Sequence, residues 1–469
     1  MILRTIGDLA RRGDRPAVLG GVGAPLDHHS LAELVASLAA GLRRRGIGPG
    51  RVVAVALPSG PTQVAATLAV LAAGATAAPL LLDWWPRELE AAADLLAADL
   101  VIGDRSLPSP LRDRAALVDP AAPLPFAAFG CGHGEEAPLD ERTAHQPLVG
   151  ATAELWVPST GGTGEPGVFA YTATQLERFW LRADPPLGGG RAAVWTPVAH
   201  GPTLRFVLGA LAGGGSVICT DRWAPRRATA DLADRRPDVL WAGIGQLGRV
   251  LGVDGDDVEV GTVIATGGPV TDAALRRIGA RFGATVQRRY TAAEAGGWVS
   301  IDDDTVDGVV GAVLHDGERP AQITVEGPGT AVRARGRAPR TPQGWATGDR
   351  VAEADHPGRP RPSGRIGDTF AVDGAPVHPA DVEAVLAEDP RLHQVAVVPR
   401  PDPVRGSIAV AVTVPTDPED PPFLSDLAER LAAVAPHARP LAQAIVDELP
   451  LTVSGQVHRR LLVYEEASR

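Results

Sequence analysis

The residues most able to do chemistry sit between positions 155 and 172. A strand-like Leu-Trp-Val-Pro runs into Ser159, Thr160, Gly161, Gly162, Thr163 and Gly164, followed by Glu-Pro-Gly-Val. Glycines let backbone N–H groups approach an anion closely and hydroxyls add further donors, so this segment can cradle a phosphate. A plain turn is the competing reading. A Walker A loop is excluded, because Gly-Lys-Ser/Thr does not occur. The 45 cationic side chains are all arginine, so any function that needs a lysine ammonium is excluded. Asn is also missing, Met occurs only at position 1, and Tyr and Phe are scarce, which a GC-rich genome would explain.

The rest of the composition narrows the setting. At 469 residues the chain has room for two to four structural units. A net charge of -11 argues against a general nucleic-acid surface, and the basic cluster Arg43, Arg44, Arg45 reads as a solvated helix end. Cys131 and Cys219 cannot build a disulfide framework or a cysteine zinc site, which fits a reducing cytoplasm. The first sixteen residues carry scattered charges where an export signal needs an apolar stretch. The longest uncharged run, 52–82, is broken by Pro58, Gly60, Pro61, Gly74 and Pro79, so it is read as a buried strand (52–57), helix (61–73) and strand (76–82), with no membrane segment.

The elements that must position the loop follow from periodicity. A helix is expected over 30–45, capped by Ser30 and stopped by Gly46. Short apolar runs at 100–102, 193–196, 216–219, 239–242, 262–265 and 285–287 read as strands. They alternate with helical stretches at 172–181, 203–211 and 271–282, which predicts α/β layers. Residues 307–355 change character, with strands at 322–325 and 330–335 between Gly and Pro turns, and read as a small β-rich subdomain. The Pro- and Arg-rich stretch 356–365 reads as a linker. Beyond it, segments 379–386, 395–398, 408–414 and 423–435 suggest an α+β domain. The expected division is an N-terminal core, 1–366, and a mobile C-terminal lid, 367–469.

Several segments in fixed order resemble the adenylate-forming superfamily, which comprises acyl- and aryl-CoA synthetases, nonribosomal peptide synthetase adenylation domains and luciferases. The loop at 159–168 looks like [ST]-S-G-[ST]-T-G-x-P-K-G, and Ala265-Thr266-Gly267-Gly268-Pro269 like the strand-turn before the adenine site. Tyr290-Thr291-Ala292-Ala293-Glu294 resembles Y-G-x-T-E, and Ala346-Thr347-Gly348-Asp349 resembles Y-x-T-G-D. Gly364-Arg365-Ile366-Gly367-Asp368 resembles the hinge motif G-R-x-D-D, and 374–383 resembles G-x-x-I-x-P-x-E-I-E. The segment 449–459 resembles L-P-x-T-x-x-G-K-I-D-R.

The resemblance implies that a carboxylate is joined to the α-phosphate of ATP and the acyl group is passed to a thiol. Tyr290, with Thr291, Gly267 and Gly268, would face adenine. Glu294 would hold Mg²⁺, Asp349 would accept from the ribose hydroxyls, and Arg365 would reach ribose or phosphate. An aromatic face suits a base, carboxylates suit a hard cation or a diol, and a guanidinium suits an anion. Taken singly, each residue could equally pack at a strand end or make a surface ion pair. Gly374 would lie near the pantetheine tunnel of CoA or a phosphopantetheine carrier protein, and a homodimer is a possible assembly. His200 sits in a P-x-x-H segment that resembles the gate of the acyl pocket, with a satisfied core histidine as the alternative. Trp241, Gly243 and Ile244 would line the same pocket.

Both family lysines are missing. Gly167-Val168 stands where Lys-Gly-Val is expected, and Gln456 takes the place of the lysine that bridges carboxylate and α-phosphate. Codon bias alone would have put arginine there. The leading reading is therefore a divergent ligase that makes or uses acyl-AMP and transfers the acyl group to a thiol, in secondary metabolism. Amide formation with an amine, and a nucleotide-binding pseudoenzyme, are the alternatives. Arg365 and Arg459 are the candidates to replace the lost cations.

Overall fold

The structure is a computed structural model, and it describes residues 3–467 apart from 85, 123–124, 130–138, 160–166, 184–186, 254–257, 302–303, 306–309, 317–318, 327–329, 337–339, 342–343, 352–361 and 453. Thr160, Gly161, Gly162, Thr163, Gly164 and Cys131 therefore lie outside the described residues, as does the linker before Pro362.

The uncharged run at 52–82 forms the expected strand, helix and strand, Val52–Ala56, Pro61–Ala72 and Thr76–Pro79. Every residue of the helix Pro61–Ala72 is buried, as an apolar helix without a polar face requires. The helix Gly201–Ala212 is equally buried, and the two lie in one continuous core between two sheets. In the first sheet Glu154–Pro158, Thr76–Pro79, Val52–Ala56, Leu100–Gly103 and Ala115–Leu117 run parallel, with Gly167–Thr172 turning back antiparallel on Glu154–Pro158. In the second, Thr285–Ala292, Thr262–Thr266, Val239–Gly243, Arg191–Val194, Ser216–Cys219 and Pro16–Gly20 lie side by side and parallel. Parallel strands covered on both faces account for the short, wholly apolar runs.

A third, antiparallel sheet holds Val310–Asp316, Arg319–Glu326 and Gly344–Val351, with Pro362–Arg365 paired to the last. The C-terminal domain packs the helix Pro379–Leu386 against the hairpin Leu392–Asp402 and Gly406–Pro415, which Ala442–Ile445 extends in parallel. The α/β class, with a β-rich unit and an α+β C-terminal domain, is as expected.

Four local expectations are corrected. The first long helix begins at His28, because Asp27 caps it by accepting from the Ser30 N–H at 2.6 Å. Its basic end is tied down, with Arg43 donating to the Ala72 carbonyl at 3.1 Å and Arg45 to the Ala128 carbonyl. The strand expected at 330–335 is Arg333–Gly336, and it leaves the β-rich unit to pair with Gly167–Thr172. The stretch 423–435 keeps helical spacing of Leu427, Leu431 and Val434 but is α-helical only over Ala428–Leu431, the remainder being i→i+3 turns.

Candidate functional site

Register puts the site at one edge of the second sheet. Gly243 lies level with Thr266, and Ala265 with Arg288, so the carboxyl ends of three parallel strands deliver Gly243, Gly267 and Tyr290 together. Ligands of open α/β sheets bind at that edge. A cavity of about 260 Å³ opens there, walled by Ile244, Gly267, Gly268, Tyr290 and Thr291 from the sheet. Asp349 and Arg365 close it from the β-rich side, and Gln456 and Arg459 from the C-terminal domain.

The polar wall is a connected network. Tyr290 Oη donates to Asp349 Oδ2 at 2.7 Å, and Arg365 Nε lies 3.3 Å from Asp349 Oδ1. Burial, with the Asp349 charge beside it, pushes the Tyr290 phenol well above its ordinary value. The Asp349 carboxylate, outweighing burial, raises the Arg365 guanidinium. Glu294 follows Tyr290 on a short turn, where the Ala331 N–H donates to its carbonyl at 2.9 Å. Tyr171 Oη grips that turn, donating to the Ala293 carbonyl and accepting from the Gly296 N–H at 2.7 Å. Burial pushes the Glu294 carboxyl up to about 7, an effect that Asp349 adds to and Arg365 opposes.

The other side is a tight loop. The Thr452 N–H donates to the Gln456 carbonyl at 2.7 Å and the Gly455 N–H to the Thr452 carbonyl at 2.9 Å. Gly455, at φ +76°, makes the turn and lies so close to the sheet edge that a Cβ on Gly243 would stand 2.6 Å from the Ser454 carbonyl oxygen. The Gly245 N–H fixes the contact by donating to the Gly455 carbonyl at 2.9 Å. Gln456 thereby lies over Gly267, its Cγ 3.5 Å from where a Cβ would be.

Arg459, three residues on, is held by Glu383 at 2.5 and 2.7 Å and by Asp368 at 3.0 Å. Burial opposes its charge, but the two carboxylates outweigh it and raise the guanidinium further. Both arginines expected to replace the lysines are thus engaged by carboxylates.

Sequence comparison decides the family. The profile of the AMP-binding enzyme family matches residues 8–327, and that of the AMP-binding enzyme C-terminal domain matches 381–456. The chain belongs to the adenylate-forming superfamily. Among its relatives, a feruloyl-CoA synthase of Amycolatopsis sp is 27% identical over 93% of both chains. A 4-coumarate–CoA ligase-like protein of Oryza sativa subsp. japonica is 26% identical over 97% of this chain and 86% of its own. In fold the chain is similar to an anthranilate CoA ligase in complex with anthranoyl-AMP, with TM-score 0.80, 16% identity and coverage of 99% and 98% of the two chains. It is also similar to an amide bond synthetase from Marinactinospora thermotolerans, with TM-score 0.75, 20% identity and coverage of 98% and 99%.

Within this adenylate-forming fold the remaining expected residues are distributed unevenly. Ser159 follows the strand Glu154–Pro158 and pairs with Gly167, its N–H donating to the Gly167 carbonyl at 2.7 Å and its Oγ accepting from the Gly167 N–H at 2.9 Å. Trp241 does not line the cavity. It is fully buried and stacked on Phe206 at 4.9 Å, because its strand position faces the core. Gly243 lies beneath the Gly455 turn, and His200 caps the helix Gly201–Ala212, buried away from the cavity wall. Gly374 sits on the exposed turn after Asp373, off the cavity in this arrangement of the domains.

Motif reading missed Arg277, Arg289 and His393, which also line the cavity, and gave no role to Asp368 and Glu383, which line it too and close the hinge and 374–383 motifs. For Arg289 the signal was an arginine next to Tyr290 in a strand otherwise destined for burial. Arg277 comes from a core helix and His393 from a C-terminal strand, which meet only when the domains pack.

Proposed function

We propose that this adenylate-forming ligase recognises the adenosine monophosphate part of an acyl- or aryl-adenylate and transfers the acyl group to the thiol of CoA or a phosphopantetheine carrier, while forming the adenylate from ATP slowly. The observation that carries this reading is the cavity in which Tyr290, Asp349 and Arg365 form one network while Gln456 lies over Gly267. Tyr290 and the Gly267-Gly268 turn suit a base between them, Asp349 suits the ribose diol, and Arg365 suits an oxygen of the single phosphate. Gln456 can donate hydrogen bonds without charge, so stabilisation of the pentavalent, highly charged adenylation transition state is weaker than with an ammonium. The names of the relatives, a feruloyl-CoA synthase and a 4-coumarate–CoA ligase-like protein, support an aryl acid and CoA.

Transfer itself needs less charge. The thiolate sulfur adds to the acyl carbon, the C–O bond to phosphate breaks, AMP leaves with the electron pair, and the thiol proton passes to solvent. Mg²⁺ accompanies ATP chemistry and is held mainly by phosphate oxygens, needing one or two protein carboxylates. Glu294 fits that need as a single ligand, since no three His, Cys, Asp or Glu converge among the described residues. The boundary between core and lid is placed at 366/367, beside Gly367.

Two assays test the reading. Supplied aryl-adenylate plus CoA should give thioester by mass spectrometry, while ATP-pyrophosphate exchange with a panel of aryl acids should stay near background. Exchange at the rate of lysine-bearing relatives would overturn the slow-adenylation claim. An amide formed with an amine and without CoA would move the acceptor to nitrogen, and AMP binding without turnover of supplied adenylate would mark a pseudoenzyme.

A further inference from the structure

We propose that the Thr291 hydroxyl, held by Thr266, is a second uncharged donor of the site, set to hydrogen-bond an oxygen of the acyl–phosphate linkage of a bound adenylate. Thr291 Oγ1 lies 3.2 Å from Thr266 Oγ1. Thr266 is 1% exposed and is not part of the cavity wall, whereas Thr291 is half-buried and lines the cavity. The Y-G-x-T-E motif that residues 290–294 resemble has glycine at this place, so the hydroxyl is this chain's own.

Counting protons gives the pair a direction. Each hydroxyl carries one proton and two lone pairs, and one proton serves the bond between them. Were Thr291 the donor, the Thr266 proton would be buried without an acceptor among the described residues, which is the costly arrangement for a hydroxyl. Thr266 therefore donates. The Thr291 proton is left over, on the one hydroxyl of the two that borders the cavity.

Where that proton can go follows from the neighbouring strands. Tyr290 sends its own hydroxyl to Asp349 Oδ2, the group that the proposed function gives to the ribose. The ladder slips between Tyr290 and Thr291, and the Thr291 hydroxyl meets Thr266 on the adjacent strand instead. Gly267 follows Thr266, and Gln456 lies over it, its Cγ 3.5 Å from where a Cβ would be. Thr291 and Gln456 thus both border Gly267. With the base on Tyr290 and the ribose on Asp349, this is the side left for the acyl–phosphate linkage, whose carbonyl and phosphoryl oxygens are both acceptors. The carbonyl oxygen gains charge when sulfur adds and the phosphoryl oxygen when AMP leaves, so a fixed neutral donor serves the transfer at either one. Thr266 is a positioning residue in this scheme. The ligand rests on the acyl-adenylate reading, but the direction of the hydroxyl pair does not.

The pair can be read without a ligand. Neutron diffraction from deuterium-exchanged crystals of the full chain should place the Thr266 deuteron on the line to Thr291 Oγ1, and a Thr291 deuteron aimed at Thr266 would overturn the direction. Calorimetry with adenosine, AMP and 5′-O-(N-coumaroylsulfamoyl)adenosine, a stable stand-in for an aryl-adenylate, reads the donor. Thr291→Val removes the hydroxyl and keeps the shape. It should leave adenosine affinity within about twofold and weaken the sulfamoyl analogue about fivefold, the size of one hydrogen bond, and Thr291→Ser should recover the loss. AMP weakened as much as the analogue would put the bond on a phosphoryl oxygen, and AMP unchanged would put it on the acyl carbonyl. Equal weakening of all three, which would place the donor on the base, or weakening of none would overturn the proposal. Thr266→Val should cost about twofold on the analogue and Thr266→Ser should recover it; no loss in Thr266→Val would overturn its positioning role. A native chain that bound none of the three would count against the adenylate reading while leaving the deuterons to decide the pair.

Discussion

Gln456 can still donate hydrogen bonds where a lysine is expected, but its side chain is one bond shorter and carries no charge. Restoring that charge should speed adenylation if the proposed slow step is right: Gln456→Lys is expected to raise ATP-pyrophosphate exchange at least tenfold, because a donor aimed at developing charge contributes several kcal/mol. Thioester formation from supplied adenylate should change less than twofold. Arg365 is different, being paired with Asp349 inside the network. Arg365→Ala should therefore weaken AMP binding in calorimetry more than Gln456→Ala does, since it leaves the Asp349 carboxylate without its partner as well as removing a phosphate contact. A third residue makes a stability prediction. His28 is buried against the Gly215 carbonyl at 3.2 Å, and burial, reinforced by Arg12, lowers it to about 4. Its folded value lies below the unfolded value of 6.5, so its contribution is complete above pH 6.5 and is lost as pH falls toward 4. The stability gap between the native chain and His28→Gln in urea titrations should shrink by about 2 kcal/mol between pH 7 and pH 5. Tyr290, Asp349 and Arg365 could be picked out from spaced motifs because each motif carries its own residue. The engagement of Arg459 could not, because Glu383 lies 76 positions away and Asp368 belongs to the hinge.

Among the elements, the decisive contact is backbone against backbone. The loop carrying Gln456 reaches the sheet only because Gly243, Gly245 and Gly455 present no side chains at the crossing. A single methyl group at Gly243, 2.6 Å from the Ser454 carbonyl oxygen, has nowhere to go. Gly243→Ala is therefore expected to leave circular dichroism unchanged while increasing protease cleavage between core and lid, as the C-terminal loop is pushed off. The buried strand-helix-strand unit at 52–82 was readable because its glycines and prolines punctuate an otherwise uniform apolar run. The strand Arg333–Gly336 was readable as a strand and not as a member of the first sheet, since its partner Gly167–Thr172 is more than 160 residues earlier and no local pattern encodes that pairing. The turns after 423 fail as a helix for a related reason: the apolar spacing is shared by tighter i→i+3 turns.

The two domains meet through arginines of the core that donate to the lid. Arg277 gives hydrogen bonds to the Leu392 and Asp389 carbonyls at 2.6 and 2.7 Å, Arg350 pairs with Asp381, and Arg249 reaches Glu448 at 3.2 Å and the Leu449 carbonyl. Arg276 pairs with Glu388 at 3.4 Å in the open. An exposed ion pair contributes about 0–1 kcal/mol, whereas Arg277 satisfies two carbonyls at a half-buried surface. Arg277→Ala should thus expand the molecule in small-angle scattering and Arg276→Ala should leave the profile unchanged.

The cations along the cavity wall have one more property in common. Arg277, Arg289, Arg365 and Arg459 are all guanidinium groups that stay protonated in water and do not act as nucleophiles. Neutral amines attack the acyl carbon of an activated adenylate and displace AMP, so a lysine on such a wall would be open to acylation. Here the wall offers no amine, Cys219 is buried with its thiol pushed up to about 12, and the chain has no lysine elsewhere. Intact-mass spectra after prolonged exposure to an aryl-adenylate should show acyl groups at most on the N-terminal amine and on Cys131, the chain's other thiol, and on none of its 45 cationic side chains.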